Sequence, residues 1–331
     1  MTGRMDEFLI HQTEKPLAQV ASDHQEWQDR FYFNMHQREG DLAVMTGLGA
    51  YPNRGIMQGY LLATLGGEHY AYLSVRQLAD ERDRMETGSL SFSVVEPLKT
   101  WRLELTDEAN EIRGSLEFRA RCPLYQFSPI RWENEGRTVV HQMHYTQAGI
   151  YEGSLTIGGR TFDHLIGIRD RSWGIRDMAR VPVWIWISAQ FEEFCVSAWL
   201  WETPGGEVIH EDGAITYETG EVLGIRRIEH ELELSPSSRR PRSGRFHLTT
   251  DEGEKHELLA SEIGSIYLVP PISRWSDADA ETSARAEAAA FGYDQHSRFQ
   301  MAGKTGTGIV EYMLTGGNKR YGIRPAAMPR G

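Results

Sequence analysis

Ser154-Leu155-Thr156-Ile157-Gly158-Gly159-Arg160-Thr161-Phe162 is the stretch on which the fold class turns. Two alternating runs flank paired glycines, and such a pair supplies the positive φ angles that a type I′ hairpin turn requires. The period of two continues outward in both directions. Upstream, Glu26-Trp27-Gln28-Asp29-Arg30-Phe31-Tyr32-Phe33-Asn34 sets Trp27, Phe31 and Phe33 on one face with polar partners opposite. Residues 70–75, 88–94, 101–105 and 112–118 follow, rich in aromatic and branched side chains, and the last two runs flank the polar loop 106–110. Downstream, Pro204-Gly205-Gly206 joins the apolar run 194–201 to Glu207-Val208-Ile209, and further runs cover 222–228, 232–234, 246–249, 256–260, 263–269 and 307–314. Short strands at this spacing with glycine turns predict an all-β protein of antiparallel barrels or sandwiches.

The chain of 331 residues is longer than one hydrophobic core sustains, so two domains are expected, at 1–160 and 161–331. Helix is scarce. Residues 277–290 are rich in alanine, with Ser276 or Asp277 to cap the start and Gly292 to end it, and they predict one surface helix or lid across a barrel mouth.

Apolar residues at 40% and charged ones at 25% describe an ordinary globular chain. A net charge of -12 repels phosphate backbones. The basic cluster Arg239-Arg240-Pro241-Arg242 with Arg245 is short and broken by proline, so it reads as a solvated hairpin loop and no nucleic-acid partner is expected. The start of the chain lacks an export signal and no run reaches membrane-spanning length, which predicts a cytoplasmic protein without membrane insertion. Cys122 and Cys195 are far apart in sequence with apolar or proline neighbours, the setting of buried thiols and not of a disulfide or metal site. No Gly-x-Ser-x-Gly elbow, His-Glu-x-x-His or dinucleotide fingerprint occurs, leaving chemistry that needs no cofactor.

Five charged side chains and a tryptophan fall within nine residues of His164-Leu165-Ile166-Gly167-Ile168-Arg169-Asp170-Arg171-Ser172-Trp173-Gly174-Ile175-Arg176-Asp177. Charges beside a sheet survive burial only as hydrogen-bonded pairs, so one reading is an ionic staple between domains. The other follows from alternation. In an extended segment Arg169, Arg171 and Trp173 point one way and Asp170, Ser172 and Gly174 the other, and one set would face a cavity.

Gly167-Ile168-Arg169-Asp170-Arg171-Ser172-Trp173-Gly174 resembles the G-x-x-(D/H)-(H/R)-(N/S)-W-G signature of a lipocalin-like superfamily. That superfamily includes carotenoid 1,2-hydratase (hydroxyneurosporene synthase), AttH-like proteins and fungal Diels-Alderases built on a tandem barrel. The segments 27–34, 47–53 and 96–102 are similar to an uncharacterised bacterial branch of it. The resemblance implies two lipocalin-like barrels, the second starting at the motif. It carries over Asp170, Trp173 and Gly174; where carotenoid hydratases have histidine beside the aspartate, this chain has Arg169 and Arg171, and a guanidinium does not shuttle protons near neutral pH.

Other residues join the candidate site. His144, in the alternating run 139–147, makes an acid-base pair if it meets Asp170. Tyr51 and Asn53 follow Gly47-Leu48-Gly49, a loop permissive enough to approach a ligand. Trp184 and Trp186, with Trp199 and Trp201, supply aromatic walls or core packing. The expectation is a proton-transfer enzyme, a hydratase, dehydratase, isomerase or cyclase, acting on a hydrophobic isoprenoid, polyene or aromatic small molecule. Asp170 gives or takes the proton, Arg169, Arg171 and Arg176 set its charge state or hold a polar end of the ligand, and Trp173 walls the ligand. A carrier or sensor of such a ligand is the alternative. The sequence leaves room for a homodimer.

Overall fold

The alternation at Trp27 becomes strand β1 (Trp27–His36). The computed structural model describes residues 11–177, 180–235, 241–268, 274–276, 292–314 and 317–324. Next come β2 (Ala43–Tyr51), β3 (Ile56–Leu65), β4 (Glu68–Gln77), β5 (Glu86–Thr87), β6 (Leu90–Glu96), β7 (Thr100–Asp107) and β8 (Ile112–Ala120). After the short β9 (Tyr125–Gln126) and β10 (Ile130–Asn134) run the long β11 (Arg137–Ile157), β12 (Arg160–Phe162) and the motif strand β13 (Leu165–Arg176). The remainder comprises β14 (Val183–Gln190), β15 (Phe194–Glu202), β16 (Val208–Tyr217), β17 (Val222–Leu234), β18 (Pro241–Thr250), β19 (Lys255–Tyr267), β20 (Arg274–Ser276), β21 (Gly292–Met301) and β22 (Lys304–Met313). The expected helix at 277–290 falls outside the described residues.

Two barrel-like sheets stand in tandem. The first orders its strands β20-β4-β3-β2-β1-β13-β11-β8-β7-β6-β5, and β14 to β19 with β21 and β22 close the second as a barrel. The first sheet curls until its ends approach through side chains: Ser74 Oγ lies 3.0 Å from Thr87 Oγ1, and Arg76 Nε donates to the Glu86 carbonyl at 2.8 Å. The Gly158-Gly159 turn has φ of 57° and 73° and joins β11 to β12, as the hairpin reading requires. The expected division at 160/161 assigns the motif strand to the second barrel. Its backbone instead hydrogen-bonds to β1 and β11 of the first sheet, because the long β11 offers β13 a twelve-residue antiparallel register from Val140↔Arg176 to Tyr151↔Leu165.

At the centre of the first sheet, in β1 to β3, both faces are largely buried, which positions the site. Odd-numbered Phe33 of β1 and Leu61 of β3 enter the sheet's own core with Leu103 and Tyr151, whereas Tyr32 and Leu62 join Trp186, Trp199 and the barrel core. Across this seam the Cys122 and Cys195 thiols, both buried and free, lie 3.7 Å apart. Arg121 spans it too, donating to the Phe191 carbonyl at 2.9 Å and to Glu218 at 2.6 Å. Of the expected basic hairpin loop, Arg242 and Arg245 sit instead on β18, paired with Glu262 (2.8 Å) and Glu257 (2.5 Å); Arg239 and Arg240 fall outside the described residues.

The seam also holds two buried imidazoles, His36 of β1 and His296 of β21, with ring centroids 5.2 Å apart. Burial depresses the pKa of both, that of His296 to about 4. A histidine whose folded pKa lies below its unfolded value stabilises the fold above the unfolded pKa of 6.5, and loses that contribution as pH falls towards the folded value. His296→Phe is therefore expected to gain about 2 kcal/mol relative to wild type between pH 7 and pH 5. Urea unfolding at the two pH values reads the difference, which also cancels the buried carboxyl groups common to both proteins.

Candidate functional site

Strand β13 is the hinge of the site because its neighbours hold it in fixed register, with Tyr32↔Asp170↔Thr146 and Arg30↔Ser172↔His144 as cross-strand rows. The side-chain period of two then sends Asp170, Ser172 and Arg176 towards the barrel, together with Arg30 and Tyr32 from β1 and Gln142 and His144 from β11. Facing them are Trp184 and Trp186 of β14, Trp199 of β15, and Glu311 and Met313 of β22. These two walls enclose a cavity of about 340 Å³, completed by Tyr60, Met45, Leu62 and Leu73.

His144 Nε2 is hydrogen-bonded to Asp170 Oδ2. The imidazole stacks on Phe127 and meets Trp199 edge-on, each at 4.7 Å between centroids, so aromatic rings fix its plane. Its Nδ1 is buried with no partner among the described residues. From the barrel wall, Trp184 Nε1 donates to Glu311 Oε1 at 2.9 Å, and the Tyr32 hydroxyl donates to Asp294 Oδ2 at 2.5 Å. Asp294 and Glu311 are cross-strand neighbours on β21 and β22. Burial raises the pKa of both carboxyl groups, and the Glu311 charge raises that of Asp294 further. Burial likewise pushes the Tyr60 phenol up to about 12, although Arg30 Nη2 donates to it at 3.1 Å. Arg176 is lowered to about 10, first by burial and then by the adjacent positive charge of Arg30; its guanidinium lies 5.6 Å from the Trp184 ring centre.

Of the residues singled out from sequence, Asp170, His144, Arg176, Trp184 and Trp186 line this cavity. Arg169, Arg171 and Trp173 occupy the other face of β13. There Arg169 Nε donates to Gln147 Oε1 at 2.9 Å, and Arg171 pairs with Asp29 and lies 4.4 Å from the Phe31 ring centre and 5.5 Å from that of Trp173. Asn53 Nδ2 donates to the Ser22 and His24 carbonyls at 2.8 Å, and Tyr51 lies under Arg54 outside the lining. Gly47-Leu48-Gly49 is not a loop but the middle of β2. Its glycine follows from a crossing: a Cβ at Gly47 would meet the Tyr60 hydroxyl at 2.5 Å and the Phe31 carbonyl at 2.6 Å. Arg30, Tyr32, Tyr60, Gln142 and Glu311 escaped sequence reasoning. The signal for Glu311 was available, a lone carboxylate inside the apolar run 307–314.

Among the described residues no three His, Cys, Asp or Glu side chains stand in a metal-holding cluster, and no helix is long and apolar enough to cross a membrane. The fold is shared with solved structures. An AttH-like protein from Nitrosomonas europaea superposes with a TM-score of 0.62 at 15% identity over 88% of this chain and 93% of that one. Kievitone hydratase from Nectria haematococca gives 0.56 at 14% identity, covering 86% and 88%. CghA with Sch210972 gives 0.54 at 12% identity, covering 92% and 90%. The chain thus has the lipocalin-like tandem-barrel architecture of these proteins. No curated protein matches its sequence. Residues 2–262 match a family of unknown function, DUF8625, and the chain belongs to that family.

Proposed function

We propose that the protein is an enzyme that moves protons on an apolar isoprenoid, polyene or aromatic substrate held between the sheet and the barrel. Hydration, dehydration, isomerisation and cyclisation are the reactions this covers. The observation that carries the reading is the Asp170–His144 pair set in the wall of an aromatic cavity, with Glu311 on the facing wall. A carboxylate joined to an imidazole passes a proton in either direction. Burial favours the protonated form of Glu311, which supplies a donor facing that pair. The faces of Trp184, Trp186 and Trp199 stabilise positive charge that develops on carbon when an alkene is protonated. Arg169 and Arg171 act from behind β13, holding the strand that presents Asp170. That one protein of the same fold is named a hydratase supports the reading.

The test is incubation of the wild-type protein in deuterated water with a panel of unsaturated isoprenoid and phenolic compounds, read by mass spectrometry. Enzyme-dependent deuterium at carbon, with or without added water, is the expected result. A ligand that binds and is recovered unlabelled would make the protein a carrier.

A further inference from the structure

Two donors in the cavity lack the acceptor that burial demands. Gln142 Nε2 and Arg176 Nε are buried without a hydrogen-bond partner among the described residues, and both side chains line the cavity. Gln142 is 4% exposed and Arg176 9%. Arg30, lining the same space, gives its hydrogen bond to the Tyr60 hydroxyl and not to a carboxylate. A buried donor left unpaired costs about 1–3 kcal/mol, more when charged, so two such groups on one wall, beside a guanidinium with no carboxylate partner, imply an acceptor that arrives with the ligand. The charges agree. The positive charge of Arg30 disfavours that of Arg176, while Asp170 and Glu311 reach both guanidiniums only through longer-range attraction. Two guanidiniums share the cavity with only two carboxyl groups, those of Asp170 and Glu311, and burial biases Glu311 towards its neutral form. Around this polar corner the lining is Trp184, Trp186, Trp199, Met45, Leu62 and Met313.

Resting on the proton-transfer reading of this cavity, we propose that its substrate is an apolar molecule bearing one anionic oxygen group, a carboxylate or enolate, held by Arg176, Gln142 and Arg30. The anion completes the hydrogen bonding of Arg176 and Gln142 and neutralises the excess positive charge. The hydrocarbon fills the aromatic part. The Arg176 fork, packed on Trp184, fixes the end of the molecule against β13, so the reacting carbons lie along Asp170 and His144.

Farnesoic acid and farnesol share a hydrocarbon and differ in this group, so they are the probes. Tryptophan fluorescence titration of wild type at pH 7 is expected to give binding about tenfold tighter for the acid. Arg176→Met and Gln142→Met are expected to bring the two affinities within about threefold by weakening only the acid, while Arg176→Lys, which keeps the charge, retains most of the preference. Equal wild-type affinities, or a preference that survives both methionine variants, would overturn the anion site and leave the apolar-ligand reading standing. Loss of both probes in Arg176→Met and Arg176→Lys alike would assign that residue to packing and also overturn the anion site. Binding of neither probe to wild type would overturn the reading of the cavity as well.

Discussion

Asp170→Asn is expected to slow turnover by on the order of a hundred- to ten-thousand-fold while ligand affinity stays unchanged. The amide has the shape of the carboxylate and keeps a hydrogen-bonding group against His144 Nε2, but it has no proton to give or accept near neutral pH. The substitution separates three roles. An enzyme loses rate alone. A carrier loses nothing, because Asp170 is one of several polar groups lining a cavity whose apolar part is formed by other residues. An ionic staple loses stability, by about 3–5 kcal/mol if a buried charge is left alone. The charged groups that satisfy the staple role lie on the other face of β13, where Arg171 pairs with Asp29, so the melting temperature of Asp170→Asn should stay near that of wild type. Deuterium incorporation, ligand titration and a thermal melt on one preparation read all three.

Gly167→Ala is expected to destabilise the protein by about 3 kcal/mol or more, the upper part of the range for overpacking. Gly167 sits opposite Met35 in the β1–β13 ladder and opposite Gly149 in the β11–β13 ladder. A Cβ there collides with the Asn34 carbonyl oxygen and meets Met35 Cα at 2.9 Å, both backbone atoms held by hydrogen bonds from two sides. No side chain can swing away to relieve it. β1 must therefore part from β13, and the row that sets Tyr32 beside Asp170 goes with it. Urea unfolding is the check: the midpoint falls with an unchanged slope if the fold is only weakened. The motif glycine at the other end, Gly174, has φ of 120°, a region that side chains rarely adopt, and a Cβ there would strike the His141 carbonyl. The two glycines frame the strand for steric reasons, independently of any chemistry at Asp170.

The strands and the polarity of β13 were readable because period-two alternation survives burial: the sequence places 170 and 172 on one face with 169, 171 and 173 on the other. His144 meets Asp170 for the same reason, one strand over. The misses share a physical cause. Polar residues opposite an apolar face normally mark solvent, so Arg30 and Tyr32 read as the outside of β1, whereas the barrel covers that face. Strand β21 was missed altogether, since Asp294, Gln295, His296 and Ser297 look like a loop and yet are all fully buried at the seam. β2 was lost to its glycines, of which Gly47 serves the Tyr60 crossing. Arg169 and Arg171 were drawn into the site by sequence proximity to Asp170, although the pleat sends them away from it.

The most direct test of the account is a crystal structure of the protein grown with a compound that the deuterium assay identifies as bound. The account predicts ligand density between β13 and β14, touching Trp186 and Trp199, with a carbon atom within reach of Asp170 or His144. Density confined to the interior of the closed barrel or to the outer surface, with Asp170 sealed from it, would contradict the account.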